Sequence, residues 1–444
     1  MTTHLNQKNS FGDLHLNVIQ SGLCVRCGLC VASCPVQVIG FTADSYPCLS
    51  GKCIDCGICV NCCPGGEVDF AKLSQTTFGV DYNFESYTGY VENSYIAYAG
   101  NESVRNAGAS GGVVTGLLVY LLENQMIDGA FITGMDPEKP WEAMGLLATT
   151  SEEIVKAARS KYLVTPSMEA LSLLQTSTGK YAVVGLPCQI HGLRKLEQVN
   201  PAFSARIAYR FGLFCHYNLE PDAASEAIKL KGIALSNVSQ FDFRGGAWPG
   251  RFIVTLKNGG IIPMYSISPK TVLNVMFQLY GAKPCLMCTD AMSEFADLSF
   301  GDFYAGDYHG ELAAMQRSTL VFQRSKIGYE ILKQANESGA IELKNFPEAQ
   351  ISGRNIHMAR QKKAKAISLI EYRLRKGDPV PDYHFAFKGK PGFYLPLMIK
   401  SSFSYIIRKP IARRLIMKFI FSSFAWSLEW FIVIRNRFLN IFRE

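Results

Sequence analysis

Apolar and polar positions change rhythm along the chain. From residue 93 onward, short apolar runs alternate with stretches in which apolar residues recur every three to four positions. YIAYAG (95–100), GAFITGM (129–135), YAVVGLPC (181–188) and ARIAYRFGLFC (205–215) read as strands, the last two ending on a cysteine. SGGVVTGLLVYLLENQ (110–125), SEEIVKAARSKY (151–162), HGLRKLEQV (191–199) and PDAASEAIKLKG (221–232) read as helices, the last with acids first and lysines last, as the helix dipole favours. QFDFRGG (240–246) and GRFIVTLKNGGIIPMY (250–265) alternate with period two, and Asn258-Gly259 predicts a hairpin turn between antiparallel strands. Strand–helix alternation over this length implies an α/β domain, read in two parts, 93–178 and 179–350. Before it lie a polar leader (1–20), a cysteine-rich module (21–72) and a linker rich in Ser, Thr, Gly and aromatics (73–92). After it, residues 383–444 mix aromatics and aliphatics with cations.

Composition supports several domains. The 444 residues are 48% hydrophobic and 18% charged, enough for a sizeable core. The net charge of +8 is uneven: residues 383–444 hold eleven Lys or Arg against Glu429 and Glu444, so the tail is about +9 and the rest about −1. Basicity confined to one segment does not argue for nucleic acid. No uncharged apolar stretch of about 18–20 residues occurs in the tail, so a basic amphipathic helix on an anionic membrane surface fits better than a span. Docking on this chain or on a partner subunit is the alternative.

Ten of the fourteen cysteines fall between residues 24 and 63, and eight of them repeat one spacing. Cys24, Cys27, Cys30 and Cys34 read C-x2-C-x2-C-x3-C before Pro35, and Cys53, Cys56, Cys59 and Cys63 read the same before Pro64. This is the run of a ferredoxin with two [4Fe–4S] clusters, in which the fourth cysteine of each run serves the other cluster. The expected sets are therefore Cys24, Cys27, Cys30, Cys63 and Cys53, Cys56, Cys59, Cys34. A duplicated spacing ending in Cys-Pro disfavours a disulfide framework or a zinc site. Thiolates used this way argue for a reducing cytoplasm, and the opening residues show no secretory signal. Cys62, beside a ligand, is expected to pack.

Four other cysteines remain. Cys188 and Cys215 end predicted buried strands, where open α/β sheets place their sites, and Cys285 and Cys288 form KPCLMC. Such a set could hold zinc or a third [4Fe–4S] cluster; two clusters in the same chain favour the cluster, as a further stop on an electron path. No Ser/His/Asp or paired-carboxylate signature, Walker sequence or G-x-G-x-x-G fingerprint competes as an active site.

NAGASGGVVTGLL, RSKYLV, VVGLPCQIHGLRKL, FGLFCH, FRGGAWPG and CLMCTDAMSEFADLSFGD resemble the beta subunit of coenzyme F420-reducing hydrogenases and dehydrogenases, over about residues 93–320. The resemblance implies an α+β dicluster ferredoxin module followed by an α/β domain of that type, with a helical basic tail. It implies FAD and one cluster in the central domain, the latter on Cys188, Cys215, Cys285 and Cys288, with coenzyme F420 as a candidate substrate. Ser110, Gly111 and Gly112 would contact the flavin from a helix start; taken without the resemblance, they could simply be a cap and turn. Arg159, Ser160 and Lys161 match a stretch near the flavin or form a solvated helix end. Asp297, Gly301 and Asp302 would close a pocket or make a turn, and His191 and His216 support the cysteines or the core. No catalytic acid or base is assigned. The expected activity is conversion between a two-electron carrier and one-electron carriers, with an electron-transfer protein or oxidoreductase subunit as partner, in the cytoplasm or on the inner membrane face. Alternatives are a ferredoxin-dependent reductase of a sugar, polysaccharide precursor or tetrapyrrole, and a non-catalytic electron-wire subunit.

Overall fold

The computed structural model describes residues 10–351, 353–385 and 407–427. Residues 1–9 of the expected leader, and 386–406 and 428–444 of the expected tail, lie outside them. The leader expectation needs correcting from residue 10. Ser10 and Asp13 cap a helix, Phe11–Leu14, that runs on through His15–Ile19. Phe11, Leu14 and Val18, spaced three and four apart, form one face and are buried. They close over the ferredoxin module, whose strands β1 (Ile39–Phe41) and β2 (Pro47–Leu49) pair antiparallel between the two cysteine loops.

The expected linker is not a free tether. Residues 73–78 continue the helix Phe70–Phe78, begun by Asp69 and ended at Gly79 with φ 72°. Beyond it, the Tyr82 hydroxyl donates to Glu294 at 2.6 Å and the Thr88 hydroxyl to Glu348 at 2.6 Å. The aromatics that suggested a linker are packing groups: Tyr82 meets Phe70 edge-on at 5.3 Å.

The central domain follows as β3 (Asn93–Ala99), β4 (Gly129–Met135), β5 (Ala143–Ala148), β6 (Tyr181–Gly185) and β7 (Ile207–Leu213). A small antiparallel sheet comes next: β8 (Val238–Gly245), β9 (Arg251–Leu256) and β10 (Ile261–Pro263). Its β9–β10 turn is the one Asn258-Gly259 predicts, with Gly259 at φ 85°. The chain then returns through β11 (Leu298–Asp302), β12 (Thr319–Gln323) and β13 (Ile341–Asn345). Eight strands form one mixed sheet in the order β13-β3-β12-β11-β7-β6-β4-β5. The inner pairs β11–β7, β7–β6 and β6–β4 are parallel, and the outer pairs are antiparallel. The α/β expectation therefore holds for the middle of the sheet and not for its margins.

Alternation along β6 decides what each face carries. Tyr181 and Val183 point to one side, where they join Ile190, Leu193 and Leu196 of the helix Pro187–Val199 and the buried residues of the ferredoxin module. Ala182 and Val184 point to the other, against Val113, Leu117 and Leu121 of the helix Val113–Glu123. The module thus shares a core with one sheet face. At Gly192 a Cβ would stand 2.7 Å from Leu29 and 3.3 Å from the Cys62 carbonyl oxygen, so glycine lets the two units approach.

Candidate electron-transfer centre

The two cysteine runs fold alike. Gly28 (φ 88°) and Gly57 (φ 72°) precede the short helices Leu29–Ala32 and Ile58–Asn61, placing the second cysteine of each run before a left-handed turn and the third inside the helix. A Cβ on Gly28 would lie 2.5 Å from the Pro166 carbonyl oxygen, so side chains other than glycine are excluded twice over, by φ and by space. Cys24, Cys27 and Cys30 are gathered with Cys63, and the charge of Cys63 bears on all three. Cys34 lines one small cavity with Cys53, Cys56 and Cys59. The geometry thus brings together the two crossed sets that the spacing predicts. Cys62 is fully buried, its sulfur 3.6 Å from the Ser33 hydroxyl, as a packing residue.

The third set is assembled from distant parts of the chain. Cys188 lies in the first turn of the helix Pro187–Val199, three residues past β6 rather than on its end. Cys215 follows β7 by two residues, and Cys285 and Cys288 come from the turn Lys283–Met287. Cys188 is raised well above its ordinary pKa by burial first, then by Cys288, Cys285, Cys27 and Cys215. Cys27 is thus a near neighbour of Cys188, and the first ferredoxin set abuts the third set. A second cavity between them is lined by Val25, Pro64, Cys188, Met287, Cys288 and Tyr383.

Burial dominates the thiol chemistry: it raises Cys24, Cys59 and Cys215 to about 12. Such thiols are weak nucleophiles, and only bound metal would hold them as thiolates at neutral pH. Among the described residues, no three His, Cys, Asp or Glu side chains converge as a single metal ion requires. A cubane, by contrast, spreads its thiolates over separate iron corners. All-cysteine donor sets of this kind suit iron–sulfur clusters.

The surrounding polar groups were not legible as a set. Asp290, fully buried, accepts from the Met292 and Glu294 amides at 2.8 and 2.9 Å and pairs with His191 at 2.9 Å. Glu294, 1% exposed, is raised to about 7 by burial and by Asp290. Burial and Lys362 push His216 down to about 3, and its Nε2 is buried without a hydrogen-bond partner among the described residues. Asp297 is structural: it accepts from Arg194 at 2.9 Å and from the Arg210 amide at 2.8 Å. Gly301 lies under the Phe214 ring, and Asp302 binds Arg244 at 2.7 Å.

The residues expected at a flavin form a second locality. Ser110 and Gly111 are tied to Thr319, through its hydroxyl, at 2.8 and 3.0 Å. A Cβ on Gly111 would stand 2.6 Å from the Ala97 carbonyl oxygen, and one on Gly112 (φ 73°) 2.9 Å from the Arg105 Cα. Both glycines are therefore required by the chain's own packing; the space they leave is not a ligand's. Arg159, in the left-handed region at φ 73°, donates to Ala107 and joins this loop to Ser160 and Lys161. Lys161 turns inward to the carbonyls of Ala157, Ala158 and Arg159, and burial lowers it to about 7. Arg105 donates to Ala99 and Arg317 to Asn106, so three guanidiniums surround the loop that leads into the helix Val113–Glu123.

Comparison with known proteins agrees with this arrangement. Residues 94–172 match the model "Coenzyme F420 hydrogenase/dehydrogenase, beta subunit N-term", and residues 178–349 match its C terminus. Residues 18–40 match a 4Fe-4S binding domain. The chain is 29% identical over 383 residues to the coenzyme F420-dependent sulfite reductase of Methanocaldococcus jannaschii, covering 83% of this chain and 53% of that protein. It thus spans about half that relative's length. It is 28% identical to the coenzyme F420 hydrogenase subunit beta of Methanococcus voltae, covering 66% of this chain and 99% of that one. It is 26% identical to a subunit of the F(420)H(2) dehydrogenase of Methanosarcina mazei, covering 78% and 92%. The F420-reducing [NiFe] hydrogenase complex of Methanosarcina barkeri contains a chain that superposes with TM-score 0.53 at 25% identity, over 68% of this chain and 99% of that one. These matches, over residues 94–172 and 178–349 and with a 4Fe–4S binding segment before them, place this chain in the family of coenzyme F420 hydrogenase/dehydrogenase beta subunits.

Proposed function

We propose that the chain exchanges electron pairs with reduced coenzyme F420, or a similar two-electron carrier, and single electrons with a partner protein through three [4Fe–4S] clusters. The observation that carries this reading is the unbroken series of cysteine sets, from exposed Cys56 through the crossed ferredoxin sets to Cys27 and Cys188. Twelve cysteines would hold the clusters: Cys24, Cys27, Cys30 and Cys63; Cys53, Cys56, Cys59 and Cys34; Cys188, Cys215, Cys285 and Cys288. FAD, when bound, would supply the change from hydride to single-electron chemistry. Arg105, Arg159 and Arg317, with the free amides of the helix start at Val113, suit its diphosphate. Ser110 and the backbone at Gly111 and Gly112 would shape the loop. Lys161 would keep the 157–161 turn in place, and Ser160 would face the same locality. Cys56, exposed, with Ile54 55% exposed beside it, offers the partner an apolar approach to the outer set.

The test is an anaerobically reconstituted chain mixed with reduced coenzyme F420. Bleaching of the cluster absorbance is expected. No bleaching with flavin and clusters intact would favour a ferredoxin-dependent reductase of another substrate, such as a sugar, polysaccharide precursor or tetrapyrrole. Clusters without any flavin would favour the electron wire.

The tail adds a second element. Its helix Pro410–Ile420 docks on this chain: Met417 and Ile420 are buried, Arg413 binds Glu226 at 2.6 Å and Asp222 at 3.2 Å, and Arg414 binds Glu226 at 3.0 Å. Tyr383 is likewise part of the body, donating to the Met287 carbonyl at 3.0 Å. No helix among the described residues is long and apolar enough to cross a membrane. The opposite face of this helix carries Ile411, Leu415 and Phe419 at 77%, 64% and 41% exposure, one stripe at four-residue spacing, with Phe424 and Trp426 beyond. We read this stripe, in a segment with five cations and no acid over 407–427, as a contact for an anionic membrane surface. The double substitution Leu415→Glu, Phe419→Glu is expected to abolish co-sedimentation with anionic vesicles while iron content and melting are kept, and binding of the unsubstituted chain should weaken with salt. No vesicle binding by the unsubstituted chain would assign the stripe to a partner subunit.

A further inference from the structure

The helix Gly353–Arg375 lies beyond the residues that match the family models and packs against the turn carrying Cys285. Its buried stripe runs Ala359, Lys362, Lys363, Ala366, Ile370. Two lysines thus stand at positions where helical periodicity calls for apolar residues. Lys363 reaches away, donating to the Ser86 carbonyl at 2.7 Å. Lys362, 2% exposed, turns toward the third cysteine set. Its ammonium donates to the Cys215 carbonyl at 2.8 Å and to the Asp290 carbonyl, two residues past Cys288, at 2.6 Å. Two of its three donors are thus engaged on backbone carbonyls at or beside cysteines of the set.

An isolated buried ammonium is costly, and two carbonyls could be served by a neutral amide. What only the charge supplies is attraction for negative charge on the sulfurs. The two carbonyls it holds belong to Cys215 and to Asp290, two residues past Cys288, so the charge is fixed beside the set.

We propose that Lys362 is a positioning residue that raises the reduction potential of the centre held by Cys188, Cys215, Cys285 and Cys288, so that this centre gains its electron more readily than the cysteines alone would allow. The inference rests on the three-cluster reading above. Net charge and hydrogen bonds to sulfur are the protein's means of setting such potentials, and a fixed cation stabilises the state carrying one more electron.

The test compares the reconstituted full chain with Lys362→Met, which removes charge and donors, and Lys362→Gln, which keeps donors without charge. Each is titrated electrochemically with paramagnetic resonance detection, the third centre being the signal absent from Cys285→Ser, and iron is counted. In both variants the third centre's reduction equilibrium should fall by roughly tenfold, about 59 mV for a one-electron couple. The ferredoxin pair serves as internal reference and should not move. An unchanged third potential with full iron, or an equal fall at all three centres, would overturn the role given to Lys362. So would loss of about four irons from both variants, which would make Lys362 a requirement for retaining the cluster. About eight irons in the unsubstituted chain would overturn the cluster reading itself, whatever Lys362 does.

Discussion

Serine in place of Cys285 is expected to lower the iron content from about twelve to about eight per chain, with acid-labile sulfide falling in step. Its neighbours explain why the loss stays local. Cys285 and Cys288 belong to one short turn, while the eight ferredoxin cysteines sit on their own two loops and share none of its backbone. The ferredoxin pair should keep its spectrum. Transfer from reduced coenzyme F420 to an external one-electron acceptor should nevertheless fall by orders of magnitude, because the set that includes Cys188 is the neighbour of Cys27 through which electrons would reach the ferredoxin pair. A substituted chain that retained all its iron, or an unsubstituted chain with about eight irons and one zinc, would refute the assignment.

Alanine in place of Asp297 should destabilise the central domain without touching any cysteine. The carboxylate, 4% exposed, accepts from the Arg194 guanidinium, the Arg210 amide and the Ser325 hydroxyl at 2.9, 2.8 and 3.2 Å. Removing it leaves Arg194 buried with Glu197 as its remaining carboxylate, at 3.2 Å. Breaking one side of a buried pair costs about 3–5 kcal/mol. For a domain of this size, that lowers the melting midpoint on the order of 10 °C. Asn, which keeps the shape and one acceptor, should cost less. A melting curve for Asp297→Ala within about one degree of the unsubstituted chain would contradict this account.

Much of this architecture could be read from residues. Periodicity found the strands of the sheet's middle and the β9–β10 hairpin, because period two and turn glycines are local properties. The crossed sets were legible because the proline-ended spacing dictates which sulfur faces which cube. What escaped was tertiary. Phe11, Leu14 and Val18 looked like incidental apolar residues in a polar leader until a core existed for them to cover. Asp297 could equally have been a turn or a pocket wall, since only the fold brings Arg194 and Arg210 to it. Gly111 and Gly112 suggested room for a ligand, yet Ala97 and Arg105 occupy that room. Lys362 was invisible: a lysine in a polar helix reads as solvated, and nothing in KKAKAI announces which one turns inward.

The contact between the ferredoxin module and residues 382–384 bears on how the protein is made. Val68 donates to the Asp382 carbonyl and Asp382 to the Gly66 carbonyl, each at 2.8 Å, and His384 pairs with Glu67 at 2.9 Å. The module, synthesised before the sheet, is therefore finished by a strip of chain more than 300 residues later. During synthesis its second cysteine run stays open on that side for tens of seconds, at common elongation rates of about 5–20 residues per second. Iron–sulfur assembly factors have that interval to load the two ferredoxin sets before the strip closes over them. Oxidants have the same interval, and it makes the nascent chain, rather than the finished protein, the stage most exposed to air.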